Sequence, residues 1–186
     1  MTTLSRATID TPLGPMLALA SAAGLCALEF TTRGLTPSRR TGVRPRLPKL
    51  DARLRNHFPP HEIVDADAPV FKRTRTWLAS YFAGRSAEVD VPLDMHGAAF
   101  EKRVWRCLLR IAPGSTRSYG SIAKELGSIG ASRAVGLANG ANPIAIIVPC
   151  HRVIGASGKL TGYGGGLDRK QWLLDHERRW RTGQLF

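Results

Sequence analysis

The segment Ser118-Tyr119-Gly120-Ser121-Ile122-Ala123-Lys124-Glu125-Leu126-Gly127-Ser128-Ile129-Gly130-Ala131-Ser132-Arg133-Ala134-Val135-Gly136-Leu137-Ala138-Asn139 sets the plan of the C-terminal half. Ser118 is suited to cap a helix, since its hydroxyl can accept from a free backbone N–H in the first turn. A short helix is therefore expected from Tyr119 to Leu126, closed by Gly127. Ser132 is suited to cap another, from Arg133 to about Asn139. Two short helices joined by a glycine-containing turn predict a helix-turn-helix.

Upstream, Phe100, Val104, Trp105, Leu108, Leu109 and Ile111 recur at helical spacing while Lys102, Arg103, Arg106 and Arg110 fall on other faces. This is an amphipathic helix with a basic outside, ended by Pro113-Gly114. Downstream, Leu167 to Glu177 reads as a helix with Asp168 in its first turn and Trp172, Leu173 and His176 toward a core. Short extended runs at Ala7–Asp10, Met16–Ala20 and Leu25–Phe30, separated by Pro12-Leu13-Gly14-Pro15 and Ser21-Ala22-Ala23-Gly24, predict an N-terminal antiparallel meander. Thr31–Lys49 mixes Arg and Lys with Gly and Pro and reads as a solvated loop. Ala68–Phe82 has apolar residues at helical spacing, and Val89–Leu93, with Pro92 inside it, reads as an edge strand or linker. The expected division is 1–93 and 94–186.

The 186 residues, 43% of them hydrophobic, suffice for real cores. Net charge is +13, from 27 Lys and Arg against 14 Asp and Glu. That balance makes nucleic acid the first partner to test, although charge alone does not separate such binding from simple solubility. The three cysteines, Cys26, Cys107 and Cys150, form no C-x-x-C pair, and an odd number cannot close a complete disulfide framework. A reducing, cytoplasmic setting is expected, with no membrane span and no signal peptide.

The pair Cys150-His151 interrupts the apolar run Ile144-Ala145-Ile146-Ile147-Val148-Pro149. An apolar setting raises a thiol's pKa and makes it inert, whereas a neighbouring His151 or Arg152 can stabilise the thiolate. Composition leaves both open: Cys150 as core filling or as nucleophile.

Pro149-Cys150-His151-Arg152-Val153 resembles the active-site signature of the methylated-DNA–protein-cysteine methyltransferases, the O6-alkylguanine-DNA alkyltransferases. The resemblance extends through Pro92-Leu93-Asp94, Phe100 to Trp105, Ser118-Tyr119, Ser132 to Gly136, Asn142-Pro143, Gly162 to Leu167 and Trp172 to Glu177, in order and at matching spacing. It implies an α+β protein: a small ribonuclease H-like N-terminal domain of antiparallel sheet plus helix, and a mostly helical, winged helix-turn-helix C-terminal domain. It also implies a stand-alone repair protein acting as a monomer on double-stranded DNA that contains O6-alkylguanine.

By resemblance, Cys150 takes the alkyl group, His151 deprotonates it through water, Glu177 orients His151, and Tyr119 assists the departing guanine. Arg133 fills the space of the flipped nucleotide, with Ser132, Ala134, Gly136 and Asn139 along the DNA surface. Asn142 is a hinge. Val148, Pro149, Arg152, Tyr163, Gly164 and Gly165 line the guanine pocket, Tyr163 covering the alkyl group. Many relatives carry Ser where Gly164 stands, so contact to O6 falls to backbone amides. No cofactor is expected, and no metal, because Cys26, His57 and His61 do not form an obvious ligand set.

Three rivals are weaker. A lesion-binding protein without chemistry would lack Cys150. A thiol hydrolase usually draws its base from a distant segment, not from the adjacent residue. A plain helix-turn-helix regulator leaves the signature and the glycine loop unexplained.

Overall fold

The computed structural model describes residues 1–32, 34–35, 48–58 and 60–183. Most of the Arg-rich stretch expected as a solvated loop therefore lies outside the described residues. The chain divides into two compact units, Met1–Gly97 and Ala98–Phe186.

In the first unit the meander forms as expected: β1 (Thr2–Ile9), β2 (Met16–Ala20) and β3 (Leu25–Phe30) pair antiparallel in sequence. β1 begins well before Ala7. Its early residues pair in parallel with a strand that the sequence did not announce, β4 (His61–Asp65), with Thr2 opposite His61 and Arg6 opposite Asp65. The sheet order is β3-β2-β1-β4. Burial of consecutive residues from Leu25 to Leu28 shows that the sheet is covered on both faces. One cover is α1 (Pro48–His57), whose Leu50 and Leu54 join Leu4, Leu19, Cys26 and Ala27 in a core cluster. α2 (Pro69–Phe82) packs against β2 and buries Val70, Phe71, Trp77, Leu78 and Tyr81, the spacing expected of it.

Val89–Leu93 contributes no strand, only an isolated parallel bridge from Leu93 to Leu25. Leu25 N–H donates to the Pro92 carbonyl and Asp94 N–H to the Leu25 carbonyl, each at 2.9 Å. Gly24 makes this approach possible, since a Cβ there would stand 2.5 Å from the Pro92 oxygen. Asp94 also accepts from Ser21 Oγ at 2.6 Å and pairs with His96 at 2.8 Å. These bonds hold the connecting residues to the first unit, which extends to Gly97.

The second unit contains α3 (Ala99–Leu109), a short strand β5 (Arg117–Ser118), α4 (Tyr119–Glu125), α5 (Ser132–Gly140), β6 (Val153–Ile154) and α6 (Leu167–Arg181). α3 buries Val104, Trp105, Cys107 and Leu108, and Trp105 Nε1 donates to the Ala138 carbonyl at 2.8 Å, tying α3 to α5. Ser118 caps α4 through its hydroxyl, which accepts from Ser121 N–H at 3.1 Å, and Gly127 follows at φ +71°. α5 departs from expectation at its start. Its N-cap is Ala131, and Ser132 is already helical, because the turn that closes with Ala131 N–H on the Ser128 carbonyl winds straight into the helix. β5 and β6 pair in parallel, Arg117 opposite Val153. α6 runs a full turn beyond Glu177.

Candidate active site

The site is built on the segment between α5 and β6. Asn142, 9% exposed, brackets it: its Oδ1 accepts from Ile144 N–H at 3.0 Å and its Nδ2 donates to the Val148 carbonyl at 2.8 Å. Within the bracket, Ile147 N–H bonds the Ala145 carbonyl across Ile146, which sits at φ +70°. A β-branched residue there is strained, and full burial of Ile146 holds it in place. Cys150 N–H bonds the Val148 carbonyl across Pro149, whose φ of −82° and ψ of 63° form an inverse γ-turn. The chain then enters a single 3-10 turn, Cys150–Arg152, with Cys150 7% exposed.

The two residues that follow Cys150 belong to a buried polar chain. His151 Nε2 stands 2.8 Å from Glu177 Oε1, and both side chains are fully buried. Arg152 donates to the same carboxylate from Nε at 3.0 Å and from Nη2 at 2.8 Å, and its Nη1 donates to the Ile111 carbonyl. Gly114 N–H adds a bond to Glu177 Oε2 at 3.0 Å. Burial works to raise the Glu177 pKa, but His151 and Arg152 outweigh it and hold the carboxyl well below its ordinary range. Burial lowers the His151 pKa, against the pull of Glu177, so the ring is neutral. A neutral ring beside a carboxylate puts its proton on Nε2. Nδ1, buried and without a hydrogen-bond partner among the described residues, is then the basic atom.

The structure brings Cys150, His151, Glu177, Asn142, Val148, Pro149 and Tyr163 into one region. Tyr163 is 9% exposed, edge-on to His151 with ring centroids 6.5 Å apart, and burial raises its hydroxyl pKa strongly. Gly165 is buried, its carbonyl accepting from Arg169 at 2.9 Å, while Gly164 is exposed with open space where a side chain would stand. Tyr119, at the start of α4, is half-buried and its hydroxyl lies 3.3 Å from Thr161 Oγ1. On α5, Arg133 and Ala134 are exposed, Ser132 is half-buried, and Gly136 lies under the Tyr119 ring.

Two expected site residues are engaged inside the fold. Asn139 is not on the surface of α5: it is 4% exposed and its Nδ2 points inward to the Cys150 carbonyl at 3.3 Å, because its helical position faces the core with Val135 and Ala138. Arg152 commits its guanidinium to Glu177 and the Ile111 carbonyl.

The sequence reading missed other contributors. Leu137 is 70% exposed on the same face of α5 as Arg133. Lys170 and Arg169 are buried in the first turn of α6 although their type suggests solvent. The signal for Lys170 was its place on the stripe 170, 173, 174 and 177, shared with Leu173, Leu174 and Glu177. Among the described residues no cluster of His, Cys, Asp or Glu is placed to hold a metal, and no helix is long and apolar enough to cross a membrane.

Fold and site together define a two-unit α+β protein with a helix-turn-helix and a buried thiol backed by a His–Glu pair. Residues 4–95 match the family model of the 6-O-methylguanine DNA methyltransferase ribonuclease-like domain, and 99–179 that of the 6-O-methylguanine DNA methyltransferase DNA binding domain. A methylated-DNA–protein-cysteine methyltransferase of Mycobacterium tuberculosis is 48% identical over 92% of this chain and 90% of its own. One from Mycolicibacterium paratuberculosis is 69% identical over 58% of this chain and 66% of its own. The crystal structure of Mycobacterium tuberculosis OGT in complex with DNA is similar with a TM-score of 0.72, at 44% identity and 99% coverage of both chains. The chain belongs to the methylated-DNA–protein-cysteine methyltransferase family.

Proposed function

We propose that this protein repairs DNA by moving the alkyl group of O6-alkylguanine onto Cys150, one group per molecule. The observation that carries the proposal is the buried His151–Glu177 pair that directly follows Cys150 in the chain, with His151 Nε2 2.8 Å from Glu177 Oε1 and His151 Nδ1 left without a partner among the described residues. This is a nucleophile with a base and an orienter. His151 Nδ1 takes the thiol proton through a water, and Sγ attacks the alkyl carbon. The S–C bond forms as the C–O6 bond breaks, guanine leaves with the electron pair, and the thiol's proton ends on the guanine ring. Tyr119 donates to the ring as it departs. The product is a thioether, which thiol exchange does not reverse.

The proposed partner is double-stranded DNA. The exposed face of α5 presents Arg133 beside small residues, suited to close approach and to holding a flipped nucleotide's space. Asn142, by fixing Val148 and Ile144, ties α5 to the thiol segment. Tyr163 walls the alkyl side of the pocket, and O4-alkylthymine is proposed as a second substrate.

The test follows the DNA. An oligonucleotide duplex with one O6-methylguanine is incubated with a stoichiometric amount of protein, and the nucleosides are analysed. Recovery of guanine without strand cleavage, capped at one per protein and absent with Cys150→Ser, is expected. Unchanged O6-methylguanine with folded wild-type protein overturns the proposal; binding without loss of methyl marks a lesion-binding protein instead.

A further inference from the structure

Lys170 is fully buried, an unusual place for an ammonium group. Its Nζ donates to the Val153 carbonyl at 2.6 Å and to the Thr161 carbonyl at 2.7 Å, with the Gly162 carbonyl at 3.5 Å. Val153 directly follows the Cys150–Arg152 turn, and Gly162 directly precedes Tyr163. One side chain thus ties the turn that carries the thiol to the loop that carries Tyr163. All three acceptors are neutral, and among the described residues no carboxylate pairs with Lys170. A buried cation without a counter-ion is costly.

We infer that Lys170 is a positioning residue whose counter-ion is the Cys150 thiolate: it fixes the two walls of the site and stabilises the sulfur in its reactive, charged form. This role presupposes the alkyl transfer proposed above. Nζ is bonded to the carbonyl of Val153, three residues past Cys150, so the charges of the two groups act on each other: burial brings the Lys170 pKa down to about 8, and the Cys150 thiolate works to raise it. Arg152 and His151, from the turn, are bound to Glu177 on α6. Arg169 donates to the Gly165 carbonyl, and burial keeps the Tyr163 hydroxyl protonated. Lys170 also disfavours a charged His151, so a proton taken from the thiol is passed on. When Sγ becomes a neutral thioether, Lys170 loses its counter-ion, and the spent protein carries an uncompensated buried charge.

The test uses Lys170→Met, which keeps the length of the stem and removes the charge. Capping of Cys150 by iodoacetamide, followed by the mass of its peptide, is measured against pH in protein shown to be folded by circular dichroism. The expected result is a midpoint displaced upward, with capping near neutral pH slowed about tenfold, convergence with wild type in alkali, and recovery in Lys170→Arg. A midpoint that does not move, or a loss equal at every pH, overturns the inference. Should Lys170→Met not fold, wild-type protein labelled with carbon-13 at lysine Cε is titrated by NMR before and after capping with iodoacetamide. The Lys170 midpoint is expected to fall on capping, and an unchanged midpoint overturns the pairing. Wild-type transfer from the O6-methylguanine duplex is run in parallel. Coupled titrations without transfer would refute the proposed function and leave the ion pair standing.

Discussion

Glu177 shows how much rests on one side chain. Fully buried, it accepts from the His151 ring, the Arg152 guanidinium and the Gly114 amide. Glu177→Gln is expected to slow alkyl transfer about a hundredfold, the scale of general-base assistance, while duplex binding in a gel-shift assay persists. An unchanged rate would remove Glu177 from the mechanism. Truncation to Ala leaves Arg152 buried and unpaired, for an expected loss of about 3–5 kcal/mol in a denaturant melt. Cys150 and His151 stood out as a polar pair inside an apolar run, but that pattern left core filling and nucleophile both open, and only the resemblance pointed to the second. Glu177 was legible only through resemblance, since a Glu near a helix end reads as solvated. Lys170 was passed over and Asn139 was read along the DNA surface for the same reason: residue type pointed to solvent or DNA, whereas helical position buries both.

Among the elements, α4 was readable to within a residue because its signals are local, a Ser at the N-cap and a Gly beyond the end. Ser118→Ala is expected to cost about 1 kcal/mol in thermal or chemical unfolding, since Ser121 N–H loses its acceptor. A loss indistinguishable from zero would show the cap to be dispensable. β4 and α1 were not readable. β4 is short, and what makes it a strand is parallel pairing with β1, a partner 59 residues away in sequence at Thr3–Glu62. Pairing of that kind has no local signature. Ile146 was equally hidden, because its positive φ comes from the Asn142 bracket and surrounding burial and not from its own preference.

For the molecule as a whole, the buried His151 and Glu177 make stability depend on pH with one sign. Both folded pKa values lie below the ordinary ones, 6.5 for His and 4.5 for Glu, so the unfolded chain binds more protons in each window. Stability is therefore expected to fall as pH drops below about 6.5, first through His151 and again below about 4.5 through Glu177. Thermal unfolding from pH 7.5 to 4 checks this. His151→Gln should flatten the first stage, and a melting temperature constant across it would contradict a buried neutral imidazole. The central claim concerns the fate of one sulfur, and intact-mass measurement with peptide mapping reads it most directly. After mixing with an O6-methylguanine duplex, the protein should gain one methyl in place of hydrogen on the peptide holding Cys150. A methyl on another residue, or none while guanine is restored, would contradict it.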